Sequence, residues 1–220
     1  MRQFNPIVVA LASLFVLLSA SQQAFAGREG RSEMNFLLPY ALSNKIQFDY
    51  GSSVSLEEDL GVGFSYAYNW DDHWAWRVDM TWNSSNYTAS RRIDSYSIGF
   101  RGDLDVMSLL IGVDYNFAEG PVSPYVSMNT GWTYIDSNAG SLPSASDCWG
   151  EPWIGQACPD RTSADYSEKN MIAALGLGFR FEFARRNFFR IGYYYQLIDF
   201  DDASDMEGLE TARFDFGFLY

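Results

Sequence analysis

The chain has 220 residues, room for one domain of ordinary size. Its 15 Lys and Arg face 28 Asp and Glu, a formal charge of −13 that excludes a nucleic-acid binder, because phosphate backbones require a basic surface. Disorder is excluded too: 17% of the residues are aromatic, and that much ring surface must be buried somewhere, even though the mean hydropathy of −0.17 reads as soluble.

Arg2 is the only charged residue before Arg28, and Ile7 to Ala20 is a mostly apolar run of 14 residues. That is short for a spanning helix, which needs ~20. It ends in Ala24-Phe25-Ala26 before Gly27, the small-x-small pattern of a cleavage site, so residues 1–26 are expected to be a cleaved signal peptide and 27–220 the mature domain. Removing Arg2 takes the charge to −14. No later segment reaches ~18 apolar residues, which excludes a helical span.

The mature chain shows period two instead, with alternate side chains on opposite faces of a strand. A first strand, Glu33 to Tyr40, sets Met34, Phe36, Leu38 and Tyr40 on its apolar side. From Leu60 to Trp70, large apolar residues oppose Gly61, Gly63, Ser65, Ala67 and Asn69; after Asp71-Asp72 the return run to Asn83 alternates again. The pattern recurs at 107–117, less cleanly at 124–136, then at 171–183, 189–198 and 213–220, giving eight strands. Three short turns, at 71–73, 118–121 and 184–187, alternate with four longer connections, roughly 41–59, 84–106, 137–169 and 199–210.

A water-soluble sandwich alternates in the same way. Two features favour a closed barrel in a membrane: the small face is rich in Gly, Ala, Ser and Asn, which suits a crowded interior, and short turns at one end with long ones at the other are typical of such barrels. The terminal segment Phe214-Asp215-Phe216-Gly217-Phe218-Leu219-Tyr220 and the glycine and aromatic run Leu60 to Trp70 resemble the small outer-membrane β-barrels of the OmpA and OmpX type. The resemblance implies an all-β, eight-stranded antiparallel up-and-down transmembrane β-barrel in the Gram-negative outer membrane, loops outside, both termini in the periplasm. It also implies that the assembly machinery reads the last strand, ending at Tyr220.

Eight strands enclose a lumen just wide enough for side chains to fill. Strand parity places Arg77, Arg180, Arg190 and Arg213 inside with Glu33, Asp79, Asp114, Glu182 and Asp215, a near-balanced set suited to a structural plug; the alternative use of such charges is a narrow ion path. The four long connections, with Asp136 at the rim counted in the third, sum to −3, 0, −4 and −6, so the loops carry −13, the lumen −1 and the short-turn side, which includes Arg28, zero. Such a rim facing anionic lipid invites divalent cations, but 199–210 departs from the calcium-loop spacing and reads as a solvated acidic loop, so no metal or cofactor is assigned. Arg91, Arg92 and Arg101 have the bidentate geometry that suits the phosphates of lipopolysaccharide.

Cys148 and Cys158, the only cysteines, are expected to form a disulfide in an oxidising compartment. Trp149 and Trp153 lie within that ring, as a recognition tip, as packing for the loop itself or as rings that dip into the membrane interface. The single histidine, His73, sits at a short turn, so a His-based catalytic site at the outer rim is not available. The expectation is a non-enzymatic barrel with a structural or surface-interaction role, its extracellular partner unidentified. A narrow channel is the alternative, and a lipid-modifying barrel comes third.

Overall fold

Period-two runs with one fully apolar face can satisfy their backbone groups in lipid only by pairing all the way round, because an open sheet edge would strand unpaired N–H and C=O groups. The computed structural model describes residues 27–47, 52–93, 96–139, 149–151, 155–157, 164–183, 186–199 and 207–220. Its strands are β1 (Ser32–Ala41), β2 (Asn44–Gln47), β3 (Ser52–Leu56), β4 (Asp59–Leu60), β5 (Val62–Asn69), β6 (Trp74–Ile93), β7 (Tyr96–Asn116), β8 (Val122–Ala139), β9 (Trp149–Glu151), β10 (Gly155–Ala157), β11 (Ala164–Glu182), β12 (Asn187–Asp199) and β13 (Glu207–Leu219). Eight of them, β1, β5, β6, β7, β8, β11, β12 and β13, pair antiparallel in chain order, and β13 returns to β1 from Glu33↔Leu219 to Ala41↔Thr211. The sheet is thereby a closed barrel. The short β2, β3 and β4 join its long-loop end, and β9 pairs only with β10.

The two faces divide as the alternation requires. Outward residues such as Phe64, Trp76, Leu109, Met128, Leu175 and Phe214 are exposed and apolar, while their strand neighbours are buried inside. At the short-turn end the outer surface becomes a ring of aromatics: Trp70 stacks on Trp74, Tyr115 meets Phe117 edge-on, and Phe183 packs beside Phe216. Aromatic belts of this kind mark the level of the lipid headgroups.

Inside, small residues make room for large ones. A Cβ on Gly176 would stand 2.3 Å from the Tyr194 ring, and one on Gly217 would stand 2.2 Å from the Phe188 ring. The rings therefore lie flat against bare backbone. This explains why the inner face looks small and polar in sequence although it is filled in space.

The structure corrects the lengths of the long connections. The segment read as a loop over 84–106 is almost entirely a hairpin, with β6 and β7 paired from Trp74↔Tyr115 up to Ile93↔Tyr96. Likewise β8 and β11 stay paired to Ala139↔Ala164, β2 and β3 occupy much of 41–59, and β13 begins at Glu207. A tilted strand crosses the bilayer in ~9–11 residues, so roughly half of the 20-residue β6 stands clear of it. Outside the membrane neither face needs to be apolar, so the alternation fades while the backbone ladder continues.

At the opposite end the turns are tight. The Asp71 carboxylate accepts the backbone N–H groups of Trp74 and His73, at 2.6 and 2.7 Å, and these bonds hold its pKa below the usual range for an aspartate. Ahead of β1, Gly30 takes φ +70°, turning the N-terminal arm back across the barrel mouth.

The fit of ring to glycine is open to direct test. Gly176→Val should overpack the wall beneath Tyr194 and cost about 1–3 kcal/mol, seen as a lower urea midpoint for the refolded barrel. Gly120→Ala, at a turn with nothing within 4 Å, should leave the midpoint unchanged.

Candidate functional site: the barrel lumen

Five arginines and five carboxylates meet inside the barrel, each no more than 7% exposed. Four of the arginines and all five acids are those that parity turns inward. The fifth arginine, Arg28, was counted at the short-turn side in the sequence; it sits at the mouth of the lumen at 2% exposure. With it, the lumen charge changes from −1 to zero among the described residues. Parity could not find Arg28, because it precedes β1 and is turned inward by the arm that bends at Gly30.

The network has two tiers. In the tier nearer the short turns, Arg180 lies 2.9 Å from Glu33 and 2.9 Å from Glu182, and Asn69 donates to Glu33 at 2.8 Å. Arg28 closes this tier from below, 3.5 Å from Glu182 and hydrogen-bonded to the carbonyl of Ala118. The arm is held by Asp72, whose Oδ1 accepts the backbone N–H groups of Arg28 and Glu29, at 2.5 and 3.1 Å.

In the second tier Arg77 is the hub. Its Nε donates to Asp79 at 2.5 Å and its Nη2 to Asp215 at 2.8 Å, while Nη1 lies 3.4 Å from Asp114. Arg190 donates to the same Asp114 oxygen at 2.6 Å. Arg213 donates to Asp79 at 2.8 Å and to the Tyr194 hydroxyl, and its Nε stands 3.0 Å from Asp215. Each carboxylate of this tier touches two or three guanidinium groups, so no single pair carries the balance.

Three arginines also lie on ring faces: Arg180 on Phe188 at 3.6 Å, Arg190 on Tyr125 at 3.8 Å and Arg213 on Tyr194 at 3.9 Å. Cation–π contact of this kind strengthens as water is excluded. The rings rest in turn on glycine backbone, so backbone, ring and guanidinium form three successive layers from the wall inward.

Above the second tier the interior changes character. Leu104, Leu110, Ile135, Ile172 and Ile198 are all buried at 5% or less, a layer of aliphatic side chains between the charges and the long-loop end. Sequence parity turns Leu110 and Ile198 inward, where their apolar nature reads as a lapse in the pattern, and Leu104 falls in the segment read as a loop.

The other candidate residues lie apart from this site. Arg101 is exposed on β7, paired in register with Thr88; Arg91 and Arg92 lie farther along the same hairpin, their backbones paired with Ile98 and Ser97. Cys148 and Cys158 fall outside the described residues, as do 1–26 and most of the acidic run 199–210. His73 stands at the short turn, 3.9 Å from Glu119. Among the described residues no group of three or more His, Cys, Asp or Glu could hold a metal ion.

Removing one member of a buried ionic set leaves its partner uncompensated, whereas removing both can be nearly neutral. Arg28→Ala should therefore lower the unfolding free energy by about 3 kcal/mol, and Arg28→Met with Glu182→Leu should recover much of that loss. Urea unfolding in lipid vesicles, followed by tryptophan fluorescence, measures both; an Arg28→Ala barrel as stable as the parent would place Arg28 outside the network.

Residues 10–220 match the family described as outer membrane protein beta-barrel domain. Among solved structures, the outer membrane protein OprG from Pseudomonas aeruginosa is similar at 10% identity and a TM-score of 0.54, over 90% of this chain and 99% of that one. The attachment invasion locus protein Ail of Yersinia pestis aligns at 17% identity and 0.49, over 87% and 99%, and Neisserial surface protein A at 14% and 0.49, over 86% and 94%. No curated protein matches the chain. A closed barrel with a lipid-compatible outer face and a family match over nearly its whole length leads to one conclusion: this chain belongs to the outer membrane β-barrel domain family, as an integral protein of the Gram-negative outer membrane.

Proposed function

We propose that the protein is a non-catalytic structural and surface-interaction barrel, closed to solute flow, with its long-loop end facing the cell exterior. The observation that carries this reading is the filled interior: a charge-neutral network of five arginines and five carboxylates below an aliphatic layer. An ion crossing the lumen would have to displace buried, paired charges from one another. That barrier hinders a pore and helps a scaffold that must hold its shape while presenting hairpins beyond the membrane.

Several further assignments belong to this reading. Residues 1–26 are a signal peptide removed before Gly27, which leaves the arm of Gly27 to Arg31 free to close the periplasmic mouth. The strand ending at Tyr220 addresses the outer-membrane assembly machinery. Arg101 on the exposed flank of β7, with Arg91 and Arg92 beyond it on the same hairpin, contacts the phosphates of lipopolysaccharide, to which a guanidinium binds bidentately. Cys148 and Cys158 form a disulfide that restrains the longest loop. No cofactor is required, and the extracellular partner is reached through the projecting hairpins.

Planar-bilayer recording of the refolded protein tests the closed lumen. The expected record has no single-channel steps for the parent barrel, and Arg180→Ala, which opens the lower tier, should increase leak. Reproducible unitary steps from the parent, abolished by lumen substitutions, would instead establish the narrow-channel reading.

A further inference from the structure

We propose that Asp72 is the docking site for the chain's own processed terminus: once residues 1–26 are removed, the new α-ammonium of Gly27 pairs with the Asp72 carboxylate and latches the N-terminal arm across the barrel mouth. This rests on the cleavage before Gly27 proposed above. The two aspartates of the β5–β6 turn divide their work. Asp71 caps its own turn, accepting the backbone N–H groups of His73 and Trp74. Asp72 turns to the arm instead, and its Oδ1 accepts the backbone N–H groups of Arg28 and Glu29. Among the described residues no donor is bonded to its Oδ2.

Gly27 meets this carboxylate without a side chain. A Cβ there would stand 2.9 Å from Asp72 Oδ1 and 3.4 Å from Oδ2. Nitrogen and Cβ are equivalent substituents of a tetrahedral α-carbon, so rotation about the Gly27 Cα–C bond alone, which glycine permits, carries the nitrogen to that position. An ammonium there lies within ion-pair distance of both carboxylate oxygens. A chain that begins at Gly27 makes the rotation freely, because nothing precedes its nitrogen. A chain still joined to Ala26 would have to swing its leader, and its nitrogen would be a neutral amide.

The latch bears on the charge network through Arg28. Of the five lumen arginines it alone lies outside a strand, and it reaches Glu182 and the Ala118 carbonyl because the arm folds back at Gly30. The root of the arm is held by backbone bonds: the Gly30 N–H donates to the Asn69 carbonyl at 2.8 Å and the Arg31 N–H to the Arg28 carbonyl at 3.0 Å. Nearer the terminus, the backbone N–H groups of Arg28 and Glu29 have Asp72 alone. A charge that appears at Gly27 on processing therefore acts where the backbone is least held. It makes the neutral, closed mouth a property of the mature chain, completed after cleavage rather than before it.

Amide hydrogen exchange at Glu29, followed by NMR on the mature chain refolded into lipid nanodiscs, tests the latch. The chain with a free Gly27 amine is compared with the same chain acetylated at that nitrogen, which keeps an N–H but removes the charge. Acetylation should lower the Glu29 protection factor about two- to fivefold, the reach of a partly exposed ion pair, while protection at Phe36 in β1 stays unchanged as the check on folding. In Asp72→Asn, which keeps an acceptor for the two backbone N–H groups, free and acetylated chains should exchange alike. Equal protection with and without the acetyl group in the parent would overturn the proposal, as would a difference that persists in Asp72→Asn. The native terminus is read separately, by mass spectrometry of the protein taken from outer membranes: a start other than Gly27 would overturn the cleavage reading, whereas the exchange result judges the Asp72 contact itself.

Discussion

Ionised side chains cut off from bulk water must find opposite charges and hydrogen bonds or they cannot stay ionised. Ten such groups share the interior of this barrel, and most other features follow from accommodating them. A single ion pair would leave oxygens and N–H groups unpartnered. A network in which Arg77 reaches three carboxylates, and Asp79 and Asp215 each meet more than one guanidinium, distributes that demand around the wall. Because its members come from strands on opposite sides, from β1 and β6 to β11, β12 and β13, the network links the barrel across its diameter as well as around its circumference.

The network dictates the composition of the wall. Guanidinium groups lie on Phe188, Tyr125 and Tyr194, and those rings need space that only glycine leaves at the facing position, as Gly176 and Gly217 do. The N-terminal arm follows from the same demand. Without Arg28 the lumen carries one negative charge too many; with it, held by Asp72 and the Ala118 carbonyl, the mouth is both neutral and closed. Above the network, Leu104, Leu110, Ile135, Ile172 and Ile198 turn apolar side chains inward.

Much of this was legible in the sequence, for reasons that can be located. Within the bilayer, lipid imposes strict alternation, so the eight crossings, their facing and nine of the ten lumen charges could be read from Met34, Phe36 and Leu38 through to Phe214, Phe216 and Phe218. Where lipid no longer acts, the signal weakens: β6 runs on to Ile93 and β7 starts at Tyr96, although 84–106 reads as a loop. Arg28 escaped because parity applies only within a strand and it lies beyond a left-handed glycine.

Charge pairing in the lumen is tested most directly at Asp215, which meets Arg77, Arg213 and, at 4.0 Å, Arg190. Asp215→Asn keeps the shape and removes only the charge. Urea unfolding in lipid vesicles should show it less stable than the parent by about 3–5 kcal/mol with an unchanged dependence on denaturant. A variant within about 1 kcal/mol of the parent would show that charge pairing does not hold the barrel together, because a carboxylate whose loss leaves three buried arginines undisturbed cannot be what pairs them.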